Sequence, residues 1–415
     1  MLKKISTDQL RCGMHVHEVC GSWVDHPFWK SSFLLKTEAQ RLQLHKSVRQ
    51  VVIDTSKGLD LPPVVNTPEP EPPASIAPEP EPEPTPPQAL PLVPPHIPVA
   101  QPVSMQEEMQ RAKQIVSQAR GAMKTMFEDM RLGKAVDAEH CLPLVEEINA
   151  SVARNPGAIV SLARLKTSDD YTYMHCVAVC ALMVALARQL KLPDDAVREA
   201  GLAGLVHDLG KSAMPPEVLN KPGKLTAEEF AIMRKHPEAG HRMLLEAKGV
   251  GEVPLDVCLH HHEKVSGNGY PHRLKGDEIS VFARMGAVCD VYDAITSNRP
   301  YKAGWDPSES VQRMAQWARE GQFDEAIFQA FVRSIGIYPT GSLVKMASGR
   351  LAVVVEQGTQ SLLHPVVRTF YSTRSKEPIT PELIDTAKST DQIVSRESPS
   401  QWGFARLDEL WKAPG

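Results

Sequence analysis

Residues 200–212 read AGLAGLVHDLGKS, an apolar helical stretch that ends on the adjacent pair His207 and Asp208. The run from Leu202 to Val206 predicts a helix that delivers this pair into the protein interior. If Asp208 were only a polar residue at the helix end, its buried carboxylate would lack a partner, at a cost of several kcal/mol. A neutral imidazole beside a carboxylate that can bridge two cations instead indicates a metal site.

A second cluster lies downstream, where His261-His262-Glu263 is followed by Gly269-Tyr270-Pro271. Its histidines would add nitrogen ligands to those of the first cluster. A lone histidine on a helix is usually a packed core residue and not a metal ligand. Three further residues become candidate ligands when they are considered together with the two clusters: His175, His236 and Asp290. Together these residues are enough for a dinuclear site.

The composition of the 415 residues sets broad limits on function. A net charge of −4 gives no strong field for a nucleic-acid polymer or an anionic membrane, and a hydrophobic share of 42% can fill real cores. The first residues lack the apolar core of a signal peptide. The longest apolar run, Val177 to Leu186, is too short to span a bilayer. We therefore expect a cytoplasmic protein without membrane insertion.

Metal sites away from the two clusters are not indicated. The seven cysteines form no CxxC pair, and Cys176 and Cys180 share a helical face where buried packing is the favoured interpretation. Reduced thiols agree with the cytoplasm. His15, His17 and His26 lack carboxylate or cysteine partners at useful spacing, so a metal site among them is disfavoured.

Changes in composition divide the chain into several domains. Proline alternates with glutamate between residues 62 and 102, which predicts an extended linker because proline has no backbone N–H to donate. The predicted fold is an all-α helical bundle, with a small α+β domain before it and a small β-rich appendage after it. The predicted segments are a mixed α/β domain (1–61), the linker (62–102), an amphipathic helix (103–139), the catalytic bundle (140–335) and a β-rich tail (336–415).

Hydrophobic periodicity predicts the elements within these segments. Helical windows cover 142–153, 172–191, 194–207, 226–248, 254–264, 278–297, 307–320 and 323–335. Strand-like runs cover 14–19, 51–53, 343–346, 351–355 and 366–370, with a short helix at 37–44. The final thirty residues are expected to be loosely ordered in part.

Ser104 and Glu107 form a capping box at the start of a long helix that should end near Arg131. Thr226 and Glu229 form a second capping box. The first helix carries an apolar stripe that is expected to pack against a partner helix, with homodimerisation as a second use. The stripe consists of Met105, Met109, Ala112, Ile115, Val116, Ala119, Met123 and Met126.

Residues 165–305 resemble the HD-GYP family, a branch of the HD-domain metal phosphohydrolases. The stretch HDLGKSAMPPEVLNKPGKLTAEE is similar to the family's HD segment nearly throughout. Three further stretches match in order and spacing: KHPEAGHRML, HHEKVSGNGYP and DVYDAITSNRPYK. The family pattern selects His261 and His262 from three consecutive histidines, and leaves His260 as a surface residue or one that supports a ligand.

The resemblance implies roles for individual residues. The implied metal ligands are His175, His207, Asp208, His236, His261, His262 and Asp290. The implied substrate contacts are Lys211, Tyr270, Arg299 and Lys302, and the implied catalytic residues are Lys211, Asp208 and Asp293. Asp293 would hydrogen-bond within the site or assist proton transfer. The family generally uses iron or manganese, although sites of mixed histidine and carboxylate ligands also accept zinc or nickel.

The chain departs from the family pattern at a few positions. Tyr171 stands where some members carry a glutamate that adds a third metal, so two divalent ions are expected here. Ser266 replaces a usual aspartate, Arg273 stands where glycine is common, and Ala178 replaces an asparagine. None of these changes removes a ligand.

HD-GYP proteins hydrolyse cyclic di-GMP to linear pGpG and often onward to GMP, and the resemblance implies the same reaction here. Two cations that share a water lower its pKa, so that a bridging hydroxide can attack in line with the phosphorus. The alternatives are a weakly active or inactive cyclic di-GMP receptor that acts through protein contacts, and a phosphohydrolase for another nucleotide. The implied partners are cyclic di-GMP and diguanylate cyclases. The cyclases would bind through the loop that contains Gly269-Tyr270-Pro271.

Overall fold

The computed structural model divides the chain into two compact units, residues 1–98 and 99–415. It describes residues 2–20, 33–35, 37, 38, 41, 50–59, 101–134, 137, 140–164, 166, 171–298, 304–358, 361–404 and 407–412. Several predictions concern residues outside these ranges. They are the linker up to residue 100, most of the short helix at 37–44, and the side chains of His26, Arg299 and Lys302.

The first unit contains an antiparallel four-stranded sheet in the order β1-β4-β2-β3. Its strands are β1 (Leu2–Ser6), β2 (His15–Cys20), β3 (Phe33–Leu34) and β4 (Gln50–Asp54). The strands predicted at 14–19 and 51–53 are confirmed as β2 and β4. β1 was not predicted, because its two lysines weaken the apolar pattern, and it forms by pairing along the whole length of β4.

The second unit is built on helices, as predicted. They are α1 (Met105–Arg131), α2 (Leu142–Arg154), α3 (Pro156–Ala163), α4 (Tyr171–Gln189), α5 (Asp194–Val206), α6 (Pro216–Leu219), α7 (Ala227–Met233), α8 (His236–Leu245), α9 (Glu252–His260), α10 (Val281–Thr296), α11 (Pro307–Arg319) and α12 (Glu325–Ile335). Short 3-10 turns cover Leu209–Ala213 and Gly276–Glu278. No strand is described between α2 and α12.

Helix α4 lies at the centre of this unit and is buried on all sides from Met174 to Ala187. It packs against α5 on one side and against α1, α2, α3 and α10 on others. Among the described helices, α4 alone is long and apolar enough to cross a membrane by composition. Most of its side chains are nevertheless covered by neighbouring helices, as in a helix at the centre of a globular core. Cys176 and Cys180 pack here as fully buried thiols, as expected.

Helix α1 begins with the predicted capping box, in which Ser104 and Glu107 satisfy each other's backbone N–H groups. The predicted apolar stripe is buried as far as Met123, while Met126 is only partly buried. Phe127 and Met130 continue the stripe. Because these side chains pack against helices of the same chain, the stripe is not available for the predicted homodimer.

The single helix predicted for 226–248 is wrong, since the structure has two helices, α7 and α8, that are separated at Arg234 and Lys235. Pro237 lies in the first turn of α8. Its missing N–H and its ring are tolerated there but would break a continuous helix. The break turns His236 inward, where it is buried.

The chain ends in an antiparallel five-stranded sheet in the order β8-β7-β6-β5-β9. Its strands are β5 (Leu343–Met346), β6 (Arg350–Glu356), β7 (Val366–Ser372), β8 (Glu377–Asp385) and β9 (Ile393–Arg396), followed by α13 (Pro399–Trp402) and α14 (Asp408–Lys412). Leu343, Leu351 and Val353 belong to the same buried cluster as the helices. Within the final thirty residues, β9 pairs with β5 and Trp411 is buried against the core, so these parts are not loosely ordered. Residues 405, 406 and 413–415, which the same expectation covers, lie outside the described residues.

A buried ion pair connects α1 to the end of α2. Glu108 is fully buried, and Arg154 donates to both of its oxygens, from Nε at 2.6 Å and from Nη2 at 2.7 Å. Removing Arg154 would leave the buried Glu108 carboxylate with one weak contact, to Nη1 of the exposed Arg111 at 3.5 Å. We expect Arg154→Ala to lower the free energy of unfolding by about 3 kcal/mol.

Urea denaturation of the full chain measures this loss. Lys124→Ala is the matched control, because Lys124 and Glu128 form an exposed pair on the same helix. The control should change stability by less than about 0.5 kcal/mol. Equal urea midpoints of unfolding for Arg154→Ala and Lys124→Ala would show that the buried pair does not stabilise the fold more than the exposed pair does.

Candidate metal centre

The His207-Asp208 pair lies where α5 ends and a 3-10 turn begins, and this turn packs directly on α8. Gly210 makes the approach feasible. A Cβ atom at this position would lie 1.9 Å from the carbonyl oxygen of His236 and 2.5 Å from the backbone nitrogen of Gly240. The glycine in the HDLGK stretch therefore brings His207, Asp208 and His236 together.

Asp208 is fully buried, and its two oxygens face two different groups of histidines. Oδ1 lies 3.2 Å from Nε2 of His236 and 3.8 Å from Nε2 of His261. Oδ2 lies 3.4 Å from Nε2 of both His175 and His207. Donor atoms bound to one cation are separated by similar distances.

Asp290, on α10, lies beside the same histidines. Its Oδ1 is 2.9 Å from Nε2 of His175 and 4.0 Å from Nε2 of His207, and its Oδ2 is 3.7 Å from Nδ1 of His262. The seven residues predicted as ligands are thus brought together from five helices, α4, α5, α8, α9 and α10, or from the turns that directly follow them. Within this set, two groups have ligand atoms close enough for one ion each: His236, His261 and His262, and His175, His207 and Asp208.

The outward-facing nitrogens of three histidines bind backbone carbonyl oxygens. Nδ1 of His207 lies 2.8 Å from Gly204 O, and Nδ1 of His236 lies 2.8 Å from Met233 O. Nδ1 of His261 lies 3.0 Å from Val257 O. A carbonyl can only accept, so each Nδ1 carries the proton and each Nε2 presents its lone pair to the centre.

His175 is oriented by a carboxylate instead. Its Nδ1 lies 2.6 Å from Oδ2 of Asp293, which is buried and also accepts from Lys166 and from Ser297 Oγ. Burial alone would raise the pKa of Asp293, but Lys166 and His175 together lower it below the usual value. Asp293 therefore stays charged and holds His175, one layer behind the ring of candidate ligands.

The donor set fits divalent cations. His207 Nε2 and Asp208 Oδ1 are buried and have no hydrogen-bond partner among the described residues. Burial, together with His262 and His207, lowers the pKa of His261 well below its usual value, and burial lowers that of His262 to about 3. These rings are neutral at pH 7, and neutral imidazole is the form that binds metals.

Lys211 and Tyr270 lie at the edge of this centre. Lys211 Nζ donates to Oδ2 of Asp208, and although burial opposes it, the attraction of Asp208 and Asp290 raises the lysine pKa. The Tyr270 ring lies 4.7 Å from the His262 ring between centroids, and the Arg234 guanidinium covers the tyrosine ring at 4.7 Å.

The loop that carries Tyr270 is held by Glu263, whose carboxylate is buried. Its Oε1 accepts backbone N–H groups from His272 at 2.6 Å and Arg273 at 2.9 Å, and its Oε2 accepts that of Leu274 at 3.1 Å. Sequence reasoning assigned no role to Glu263 beyond its place in the motif. Arg273 adopts a φ of 59°, the left-handed region, where glycine would be favoured.

The structure separates other sequence candidates from the centre. Tyr171 stacks beside His175 with ring centroids 6.1 Å apart and offers no carboxylate. His260 points to a different group, Asp256 and His272. His15 and His17 belong to no group of three metal-type ligands among the described residues. Lys166 was not predicted from the sequence. The only available signal was that Asp293, a third buried carboxylate beside Asp208 and Asp290, needs a counter-charge.

Two known families match separate parts of the chain. Residues 2–141 match a domain of unknown function (DUF3391), and residues 149–327 match the HD domain. The first match runs through the N-terminal unit and α1, and the second contains all the residues of the candidate centre.

Relatives were found over the full chain and over the HD domain. The chain is 52% identical to a cyclic di-GMP phosphodiesterase of Pseudomonas aeruginosa, over 99% of this chain and 96% of the relative. It is 39% identical to a cyclic di-GMP phosphodiesterase response regulator of Xanthomonas campestris, over 46% of this chain and 50% of the relative. A 3'3'-cGAMP-specific phosphodiesterase of Vibrio cholerae is 44% identical over 28% of this chain and 23% of its own length.

Glu263→Gln tests the anchoring of the loop. The amide keeps one acceptor oxygen but places an NH₂ group against a backbone N–H, so at least one of the three bonds is lost. We expect hydrogen–deuterium exchange at the amides of residues 272–274 to accelerate by about tenfold or more, as expected for the loss of about 1.5 kcal/mol.

Glu238→Gln, at an exposed position on α8, serves as the control and should leave these amides unchanged. Unaltered protection in Glu263→Gln would show that the loop is held by other contacts.

Proposed function

Since the chain belongs to the HD-GYP family of HD-domain proteins, we propose that it is a phosphodiesterase that hydrolyses cyclic di-GMP. The observation that carries the proposal is the position of Asp208, with one oxygen toward His236 and His261 and the other toward His175 and His207. The full-length relative that is named a cyclic di-GMP phosphodiesterase supports the choice of substrate.

The same geometry supports two divalent ions rather than one. The choice of iron or manganese follows from the family resemblance. We assign His236, His261, His262 and Oδ1 of Asp208 to the first ion. His175, His207, Oδ2 of Asp208 and Asp290 are assigned to the second. When bound, such ions lower the pKa of a water and neutralise charge on phosphoryl oxygens.

The chain's own residues complete the site. Lys211 remains protonated beside Asp208, so it can donate to a phosphate oxygen and stabilise the charge that develops there. Asp293 holds His175 in the tautomer that presents Nε2. Tyr270 lies against His262, where its ring would exclude water from one side of a bound substrate.

The finer parts of the proposal concern product, location and partners. We propose linear pGpG as the first product, a cytoplasmic location, and diguanylate cyclases as partners of the loop around Tyr270. Homodimerisation, if it occurs, uses a surface other than the buried stripe of α1. The relative specific for 3'3'-cGAMP favours that cyclic dinucleotide as a second candidate substrate.

Turnover by the purified full chain tests the function. Protein loaded with Mn²⁺ or Fe²⁺ is mixed with cyclic di-GMP or 3'3'-cGAMP, and products are separated by ion-exchange chromatography. We expect the wild type to convert cyclic di-GMP to the linear dinucleotide. The Asp208→Ala variant should form none of this product. Binding of cyclic di-GMP by the loaded wild type without cleavage would indicate the receptor alternative, and faster cleavage of cGAMP would change the assigned substrate.

Lys211→Met tests the proposed phosphate contact. Loss of this cation should lower kcat by about 10²-fold, because charge on the phosphate is then less well stabilised. Metal content is measured in parallel and should stay at the wild-type level. The control is Lys224→Met, an exposed lysine in the same segment, and its kcat should be unchanged. A wild-type kcat in Lys211→Met would exclude the assigned role.

A further inference from the structure

A second pair of histidines, His260 and His272, lies outside the set of candidate ligands. Nε2 of His260, the last residue of α9, lies 3.0 Å from Nδ1 of His272, which directly follows the Gly-Tyr-Pro motif. His272 is exposed, and the side chain of His260 is 15% exposed. An ion could therefore reach both nitrogens from solvent.

The outer nitrogen of His260 is already engaged. Its Nδ1 lies 2.7 Å from Oδ1 of Asp256, and Ser280 Oγ donates to the other oxygen of the same carboxylate. The carboxylate fixes the proton on Nδ1, so Nε2 of His260 accepts a hydrogen bond from Nδ1 of His272. A metal ion would take the place of this His272 proton between the two nitrogens. A carboxylate behind an imidazole, itself held by a further donor, is the arrangement found around metal-binding histidines.

The spacing of the two nitrogens also fits one ion. Two imidazole nitrogens on a tetrahedral zinc ion are about 3.3 Å apart, given Zn–N bonds of about 2.0–2.1 Å. The pair at 3.0 Å would therefore need to open by only a few tenths of an ångström. His241, on α8, is a further imidazole nearby. Partial burial and repulsion from His260 and His272 both lower its pKa.

We propose that His260 and His272 form a second metal site, separate from the Asp208 centre, for a zinc ion or a similar divalent transition ion. Imidazole ligands favour such ions over Mg²⁺ or Ca²⁺, which prefer oxygen. The two histidines are the only protein ligands in this proposal, and water molecules would complete the coordination.

An ion at this site would connect two elements that the active centre uses. His260 directly precedes His261 and His262, and His272 lies in the loop that carries Tyr270. Asp256 and Ser280 extend the connection to the first turn of α10, the helix of Asp290. Bound zinc would therefore restrain the loop and slow turnover. This effect on turnover rests on the proposed function, whereas the site itself does not.

The test uses the full chain, first loaded with Mn²⁺ and then dialysed against buffered free Zn²⁺. Zinc and manganese per chain are measured by mass spectrometry in wild type, His272→Gln and His260→Gln. We expect wild type to hold about one zinc ion more than either variant, at equal manganese content. His140→Gln is the matched control, because His140 is an exposed histidine beside the carboxylate of Asp137.

Equal zinc contents in wild type and both variants would overturn the site. The rate of cyclic di-GMP hydrolysis is then followed as Zn²⁺ is added, with Mg²⁺ as the comparison. We expect zinc to inhibit wild type several-fold and to have little effect on His272→Gln. Equal inhibition of both proteins would overturn the link between this site and the loop. If no protein cleaves the substrate, the zinc contents still decide the site, and only the proposed function fails.

Discussion

The buried carboxylate of Asp208 is the interaction on which the rest of the structure depends. Two groups of histidines approach it from opposite sides, so each oxygen faces its own pair of imidazole nitrogens. An ionised group in a protein interior is tolerated only when charges or metal ions compensate it. Lys211 provides one compensating charge, and the proposed pair of cations provides the rest. The surrounding helices pack through a common hydrophobic core and, in doing so, supply this carboxylate with partners from several directions at once.

The scaffold fixes these partners through contacts outside the centre. Backbone carbonyls hold the outer nitrogens of His207, His236 and His261, and the Lys166–Asp293 pair holds that of His175. Such contacts set both the ring orientation and the tautomer before any ion binds. Glu263 extends the same principle to the loop of Tyr270, since it binds three successive backbone N–H groups.

Hydrophobic periodicity predicted the helical core, and local residue types indicated the two histidine and aspartate clusters. The full set of candidate ligands was implied by the resemblance to the HD-GYP family. The break before α8 was also readable, since Pro237 excludes a continuous helix, but the apolar periodicity on both sides of it was given more weight. Lys166 could not be found in this way, because its contact with Asp293 arises from the packing of distant segments. β9 was missed for the same reason, as four residues become a strand only by pairing with β5.

The metal content of the purified chain tests the bridging role of Asp208 most directly. We predict about two divalent ions per wild-type chain and about one in His261→Ala, whose substitution affects a single group of ligands. In Asp208→Ala both groups lose an oxygen ligand, so both ions should be lost or strongly weakened. Retention of both ions in Asp208→Ala at the wild-type level would contradict a shared carboxylate, whatever the activity of the protein.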